Sequence, residues 1–176
     1  MIVIVYLLGS IAGLIVLFLI AALFVKKESV IERDIIINKP KAEVFNYVKY
    51  IKEQDKFNKW VMADPDMRKE FKGVDGTVGF IYAWDSNAKG GKGEQEIKGL
   101  AEGERVDLEI RFEKPFKGIS DSIIHTRAIS ADQTKVIWIF KSNSKYPVNL
   151  MSAMLEGVLG KDLDKSLNNL KRILEK

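Results

Sequence analysis

Cysteine is absent from the sequence, and histidine occurs once, at position 125. The first absence excludes disulfides, thiolate nucleophiles and cysteine-ligated zinc or iron–sulfur centres, and it fits a reducing compartment. The second leaves any metal site to be built almost wholly from carboxylates, and any Ser–His–Asp triad with a single possible base. A strong excess of one charge is also missing. The net charge is +4, and Lys and Arg alternate with Asp and Glu along most of the chain. That balance lacks the basic stripe of a nucleic-acid partner but suits a surface beside anionic lipid headgroups. No metal and no cofactor is expected.

Charge is missing altogether from residues 1–25, MIVIVYLLGSIAGLIVLFLIAALFV. About 20 apolar residues span the hydrocarbon core as a helix, so this run is long enough to cross with some tilt. It exceeds a signal-peptide core, no basic residue precedes it, and no A-x-A cleavage pattern follows. Lys26 and Lys27 come next, and the positive-inside bias places that flank in the cytoplasm, with the N-terminus outside. The expected organisation is a transmembrane anchor over 1–25, a linker over 26–29 and one folded domain over 30–176, single-pass in the cell (inner) membrane. Gly9-x-x-x-Gly13 has the small-xxx-small form that permits close helix approach, but two glycines in such a helix arise often by chance.

The segment WDSNAKGGKGEQEI, residues 84–97, contains Gly90, Gly91 and Gly93 interleaved with Lys89 and Lys92. A phosphate-binding loop would read G-x-x-x-x-G-K-[ST]. Here Gly93 follows Gly91-Lys92, and Ser86 stands where the first glycine belongs. The residues after Gly93 continue as a strand pattern rather than a helix, so the nucleotide reading fails. Asp85, Asn87 and the glycines are instead suited to the left-handed conformations of a hairpin loop.

After the anchor, VIERDIII (30–37) reads as a strand. In NKPKAEVFNYVKYI, Asn38 is a candidate cap, Pro40 suits a first turn, and Val44, Phe45, Val48 and Ile51 recur at helical spacing. A short second helix is expected around KFNKWV. The period then changes to two across six runs: MRKEFKG, TVGFIYAWD, GEQEIKGLA, ERVDLEIRF, SDSIIHTRAIS and TKVIWIFKS. In RVDLEIRFE, Val106, Leu108, Ile110 and Phe112 share one face, and Asp107, Glu109, Arg111 and Glu113 the other, as in an antiparallel sheet wet on one side. From Pro147 a long helical pattern places Leu150, Met151, Met154, Leu155, Val158, Leu159, Leu163, Leu167, Leu170 and Leu174 on one stripe. It is the only long helix available to cover the sheet.

This order, together with IIINKPKAEVFNYV, FNKW, GTVGFIYAWDSNAKGGKGEQEI, TKVIWIF and YPVNLM leading into LGKDLDKSLNNLK, resembles the START-like SRPBCC superfamily over roughly residues 30–176. That superfamily includes birch-pollen allergens, lipid-transfer START domains and polyketide cyclases. The glycine–tryptophan block looks closer to its bacterial polyketide-cyclase/dehydrase-like members. The resemblance implies an α+β helix-grip fold: a curved antiparallel sheet of about seven strands around the C-terminal helix, two short helices after the first strand, and an internal, largely apolar cavity.

If that cavity exists, its expected lining is Phe80, Tyr82, Trp84, Leu108, Ile110, Phe112, Trp138 and Phe140 from the sheet, and Met151, Met154 and Leu155 from the helix. His125 joins them if it shares the inner face with Ile123 and Ile129; otherwise it serves only a neighbouring strand or solvent. No residue is assigned as catalytic, and Tyr82 and His125 are the candidate acid–base groups. Glu94 and Glu96 form an i, i+2 carboxylate pair, but Lys98 continues their stripe and Ile97 marks the opposite, buried side. The expected function is non-catalytic binding of a lipid or other hydrophobic small molecule. A cyclase/dehydrase-like enzyme and a protein-interaction module are the alternatives.

Overall fold

The computed structural model describes residues 2–86 and 90–176. An apolar helix α1 (Ile2–Phe24) leads into strand β1 (Glu28–Ile37) and helix α2 (Lys41–Val48). A 3-10 turn (Ile51–Glu53) and two single-turn helices, α3 (Gln54–Phe57) and α4 (Lys59–Met62), follow. The chain then forms β2 (Arg68–Lys72), β3 (Ile81–Asp85), β4 (Lys92–Ala101), β5 (Arg105–Lys114), β6 (Gly118–Ser130) and β7 (Gln133–Asn143), and ends in α5 (Val148–Leu174).

The seven strands make one antiparallel sheet in the order β1-β7-β6-β5-β4-β3-β2. Consecutive strands pair as hairpins from β2 to β7, and β1 closes the far edge on β7. Alternation along each strand sets which side chains face α5. On β5, Val106 and Leu108 are buried while Asp107 and Glu109 face outward. The sheet packs on α5 through Leu163, Leu167, Leu170 and Leu174, all buried with Ile37, Val136 and Trp138. Each such leucine contributes about 1.5–3 kcal/mol relative to solvent exposure. A second buried cluster joins Phe45 and Ile51 to Phe80, Tyr82, Ile97, Val106 and Leu108.

The helices after β1 differ from the sequence pattern. α2 ends at Val48, and the remaining segment breaks into short turns. Asn38 does not cap α2, whose first turn follows Pro40 directly. The Asn38 N–H instead donates to Glu175 and its side-chain oxygen accepts from Gln133. The apolar stripe of α5 is also only partly covered. Met154, Leu155 and Val158 remain exposed, because the first turns of α5 extend past the packed core and only the second half lies in it.

Strand register brings one set of ends together. Glu28 pairs with Asn143, Ser120 with Ser142, Phe112 with Gly118, Lys92 with Lys114, and Asp85 with both Lys92 and Arg68. The start of β1, the β3–β4 loop and the tip of the β5–β6 hairpin therefore share one end of the sheet. α1 joins at that end. Buried Asn149, in the first turn of α5, donates to the Ala22 and Val25 carbonyls at 2.8 and 2.9 Å. Those carbonyls have no partner within α1, so α5 caps the apolar helix. Tyr6–Phe24 is long and apolar enough to cross a membrane, and the rest of the chain leaves it almost wholly uncovered.

Candidate functional site

Between the sheet and α5, on the α1 side of the core, lies a cavity of about 370 Å³. That is within the usual size range of small-molecule sites. Its walls follow from strand parity. Inward positions on β3 present Tyr82 and Trp84, those on β5 present Ile110 and Phe112, and those on β7 present Trp138 and Phe140. Leu155, Leu159 and Leu163 of α5 close one side. Gln54, Asn58, Trp60 and Val61, from the short turns after α2, close another. Lys114 and Pro115 stand at the shared strand ends. All three tryptophans of the chain line this space.

Seven of the expected lining residues meet here: Tyr82, Trp84, Ile110, Phe112, Trp138, Phe140 and Leu155. Phe80 and Leu108 face the same side but lie deeper, in the closed core. Met151 and Met154 do not line the cavity, and Met154 is 72% exposed. Helical phase turns Met154 away, since α5 meets the cavity through Leu155, Leu159 and Leu163, whereas Met151 is on that stripe but one turn nearer the start of the helix, beyond the cavity. His125 is the main correction. Ser122, Ile124 and Thr126 are the buried, inward residues of β6, so His125 shares the outer face with Ile123. It pairs there with Arg105 and Ile137 and borders an open groove with Glu32, Lys41 and Arg127.

Tyr82 is the other acid–base candidate, and it is held. Its hydroxyl donates to Asp55 Oδ1 at 2.6 Å, while Lys69 Nζ donates to Asp55 Oδ2 at 2.8 Å. Burial first, and then the carboxylate, push the phenol well above its ordinary pKa of 10. Tyr82 therefore stays protonated and gives its proton's hydrogen bond to Asp55. Trp138 Nε1 donates to Ser122 at 2.8 Å, so that indole is also satisfied.

Sequence patterning missed the amides. Gln54 is 1% exposed, and its Oε1 accepts from Asn58 Nδ2 and Gln95 Nε2, each at 3.2 Å. FNKW was recognisable as a motif, but its role was not. Asn58 in that motif caps α4 by accepting the Trp60 N–H at 3.0 Å.

Outside the cavity, Arg111 bonds Glu94 and Glu96 at 2.8 Å each and also Glu109. The carboxylate pair is thus tied to a guanidinium on the outer face, and the Arg111 hydrogen bond holds Glu96 below its ordinary pKa. In the glycine segment, Gly91 alone of the three glycines has a positive φ, at 62°. Asn87 lies outside the described residues. Gly93 leaves room for the Trp84 ring: a Cβ there would meet it at 2.9 Å. Among the described residues no group of three or more acidic or histidine side chains forms a metal site.

No protein-family model and no curated protein matches the chain. Solved structures do. Norcoclaurine synthase from Thalictrum flavum, in complex with dopamine and hydroxybenzaldehyde, is 12% identical, with a TM-score of 0.64 covering 84% of this chain and 87% of that one. The protein Ara h 8.0201 is 14% identical, at a TM-score of 0.61 over 84% and 97%. A protein from Chromobacterium violaceum is 17% identical, at 0.59 over 84% and 98%. The chain has the START-like helix-grip fold.

Proposed function

We propose that this chain is a membrane-tethered binding domain that takes a lipid or other apolar small molecule from the bilayer into its cavity without chemical change. One observation carries the reading: the cavity sits at the end of the sheet where α1 joins. Trp84, Phe112, Lys114 and Pro115 lie at strand ends in register with the start of β1. A ligand entering there meets the protein at the lipid surface.

The surroundings support this. Phe116 at the β5–β6 tip and Val148, Met154 and Val158 on α5 are exposed apolar side chains at or near that end. Lys114, Lys117 and Lys145 are exposed beside them, and Lys26 and Lys27 end the anchor. Apolar groups among lysines suit an anionic interface. By the positive-inside bias, the domain faces the cytoplasm of a single-pass inner-membrane protein.

A cyclase-like reading is weaker, because an enzyme needs a proton carrier aimed at the ligand. His125 is outside, and Tyr82 holds its proton against Asp55. An interaction module would be favoured by a collapsed cavity, and this one is open. The full chain, released from membranes in mild detergent and analysed by native mass spectrometry, is expected to carry an extractable apolar molecule. Repeated recovery of empty chain that also ignores added fluorescent lipids would reject the proposal.

A further inference from the structure

Gln54, in the cavity wall, carries a buried polar atom without a protein partner, and its chemistry is specific. Asn58 Oδ1 is engaged by the Trp60 N–H at the start of α4, which turns Asn58 Nδ2 toward Gln54. A donor facing Gln54 requires the acceptor end of the Gln54 amide, so Oε1 points at Asn58 and also receives Gln95 Nε2. The opposite end, Nε2, then has two N–H groups and no acceptor in the protein. The helix cap therefore fixes which end of Gln54 is left over. Leaving a buried donor unsatisfied is costly, so a side chain held this way gains by meeting an acceptor on a bound molecule.

Position refines the ligand. Gln95, which fixes Gln54 from the sheet side, lies three residues up β4 from Lys92 at the open end, about 10 Å at the rise of a strand. Between them the walls are Trp84, Phe112, Phe140 and Leu155. The only cationic lining residue among the described ones is Lys114, at the mouth. A buried carboxylate or phosphate at the inner end would lack a charge partner, and burying an unpaired charge is far costlier than burying a carbonyl.

We propose that Gln54 reads a neutral carbonyl (ketone, ester or amide) at the inner end of an otherwise apolar ligand, whose hydrocarbon part lies toward the mouth. This rests on the ligand-binding reading above and names its ligand class.

The test uses full chain in dodecyl maltoside micelles with two matched probes, 2-undecanone and undecane, read by the fluorescence of the three cavity tryptophans. The ketone is expected to bind about tenfold more tightly, the ratio expected of one hydrogen bond in a dry site. Gln54→Met removes the free N–H₂ while keeping an unbranched side chain of nearly the same length. It is expected to abolish the preference for ketone while undecane still binds.

A second readout needs no variant: the carbonyl stretch of ¹³C-labelled 2-undecanone bound to the native chain is expected at lower frequency than in hydrocarbon solvent. Equal affinity for both probes, or an unshifted stretch, would overturn the assignment to Gln54 and leave the binding domain intact. Failure of both probes to bind would overturn both readings.

Discussion

Replacing Ile110 by Trp tests whether the space between the sheet and α5 is real. Ile110 points into the cavity from β5, paired with Gln95 on one side and Ser120 on the other. The larger ring adds roughly 60 Å³, about a sixth of the 370 Å³ available, so nothing else has to move. Removing residual cavity is worth about 24 cal/mol per Å³, which gives a gain of about 1.4 kcal/mol at most. For a chain of this size that raises the melting midpoint by roughly 3–6 °C. The sign decides the matter. In a core packed to ordinary density the same substitution is overpacking and costs about 1–3 kcal/mol. Thermal unfolding of the full chain in micelles, followed by circular dichroism, reads the difference directly. A lowered midpoint would refute the cavity, while a raised midpoint with weakened probe binding supports it.

Three further outcomes follow from individual contacts. Gly93→Ala would place a Cβ 2.5 Å from the Arg111 carbonyl oxygen and 2.9 Å from the Trp84 ring, so it should destabilise by about 1–3 kcal/mol and shift Trp84 emission. Arg111 lowers the Glu96 pKa in the folded state, so its contribution is present above the ordinary carboxylate value of 4.5 and is lost as pH falls through the lowered folded value. Both side chains are partly exposed, so the effect is below about 1 kcal/mol; Arg111→Met should flatten the fall in stability between pH ~5 and ~3 seen by denaturant titration. Asn149→Leu removes both hydrogen bonds to the end of α1, and hydrogen exchange should quicken at residues 22–28 with the sheet unaffected.

The sheet was legible because period-two runs leave little freedom. Val106, Leu108, Ile110 and Phe112 alternate with charged residues, and the structure keeps that division. α5 was legible as a helix, but its apolar stripe did not say which part would be covered. That depends on where the sheet ends, and Met154 and Leu163 look alike in sequence though one is exposed and one buried. The His125 strand has isoleucines at 123, 124 and 129, so both faces look apolar and parity stays ambiguous. Trp138 and Val136 opposite Ile124 and Thr126 resolve it only once the register is known. The Gln54–Asn58–Gln95 amides come from two short turns and a strand. No spacing rule links such residues, and only the fold brings them together.

The central claim is that apolar molecules pass from the bilayer into the cavity, and the tryptophans supply the measurement. None lies in α1, and Trp60, Trp84 and Trp138 all line the cavity. Full chain reconstituted into vesicles of phosphatidylcholine and phosphatidylserine with brominated acyl chains should show strong, short-range quenching of its tryptophans, relieved by excess 2-undecanone. Unquenched emission from chain that carbonate extraction leaves in the membrane would contradict the account.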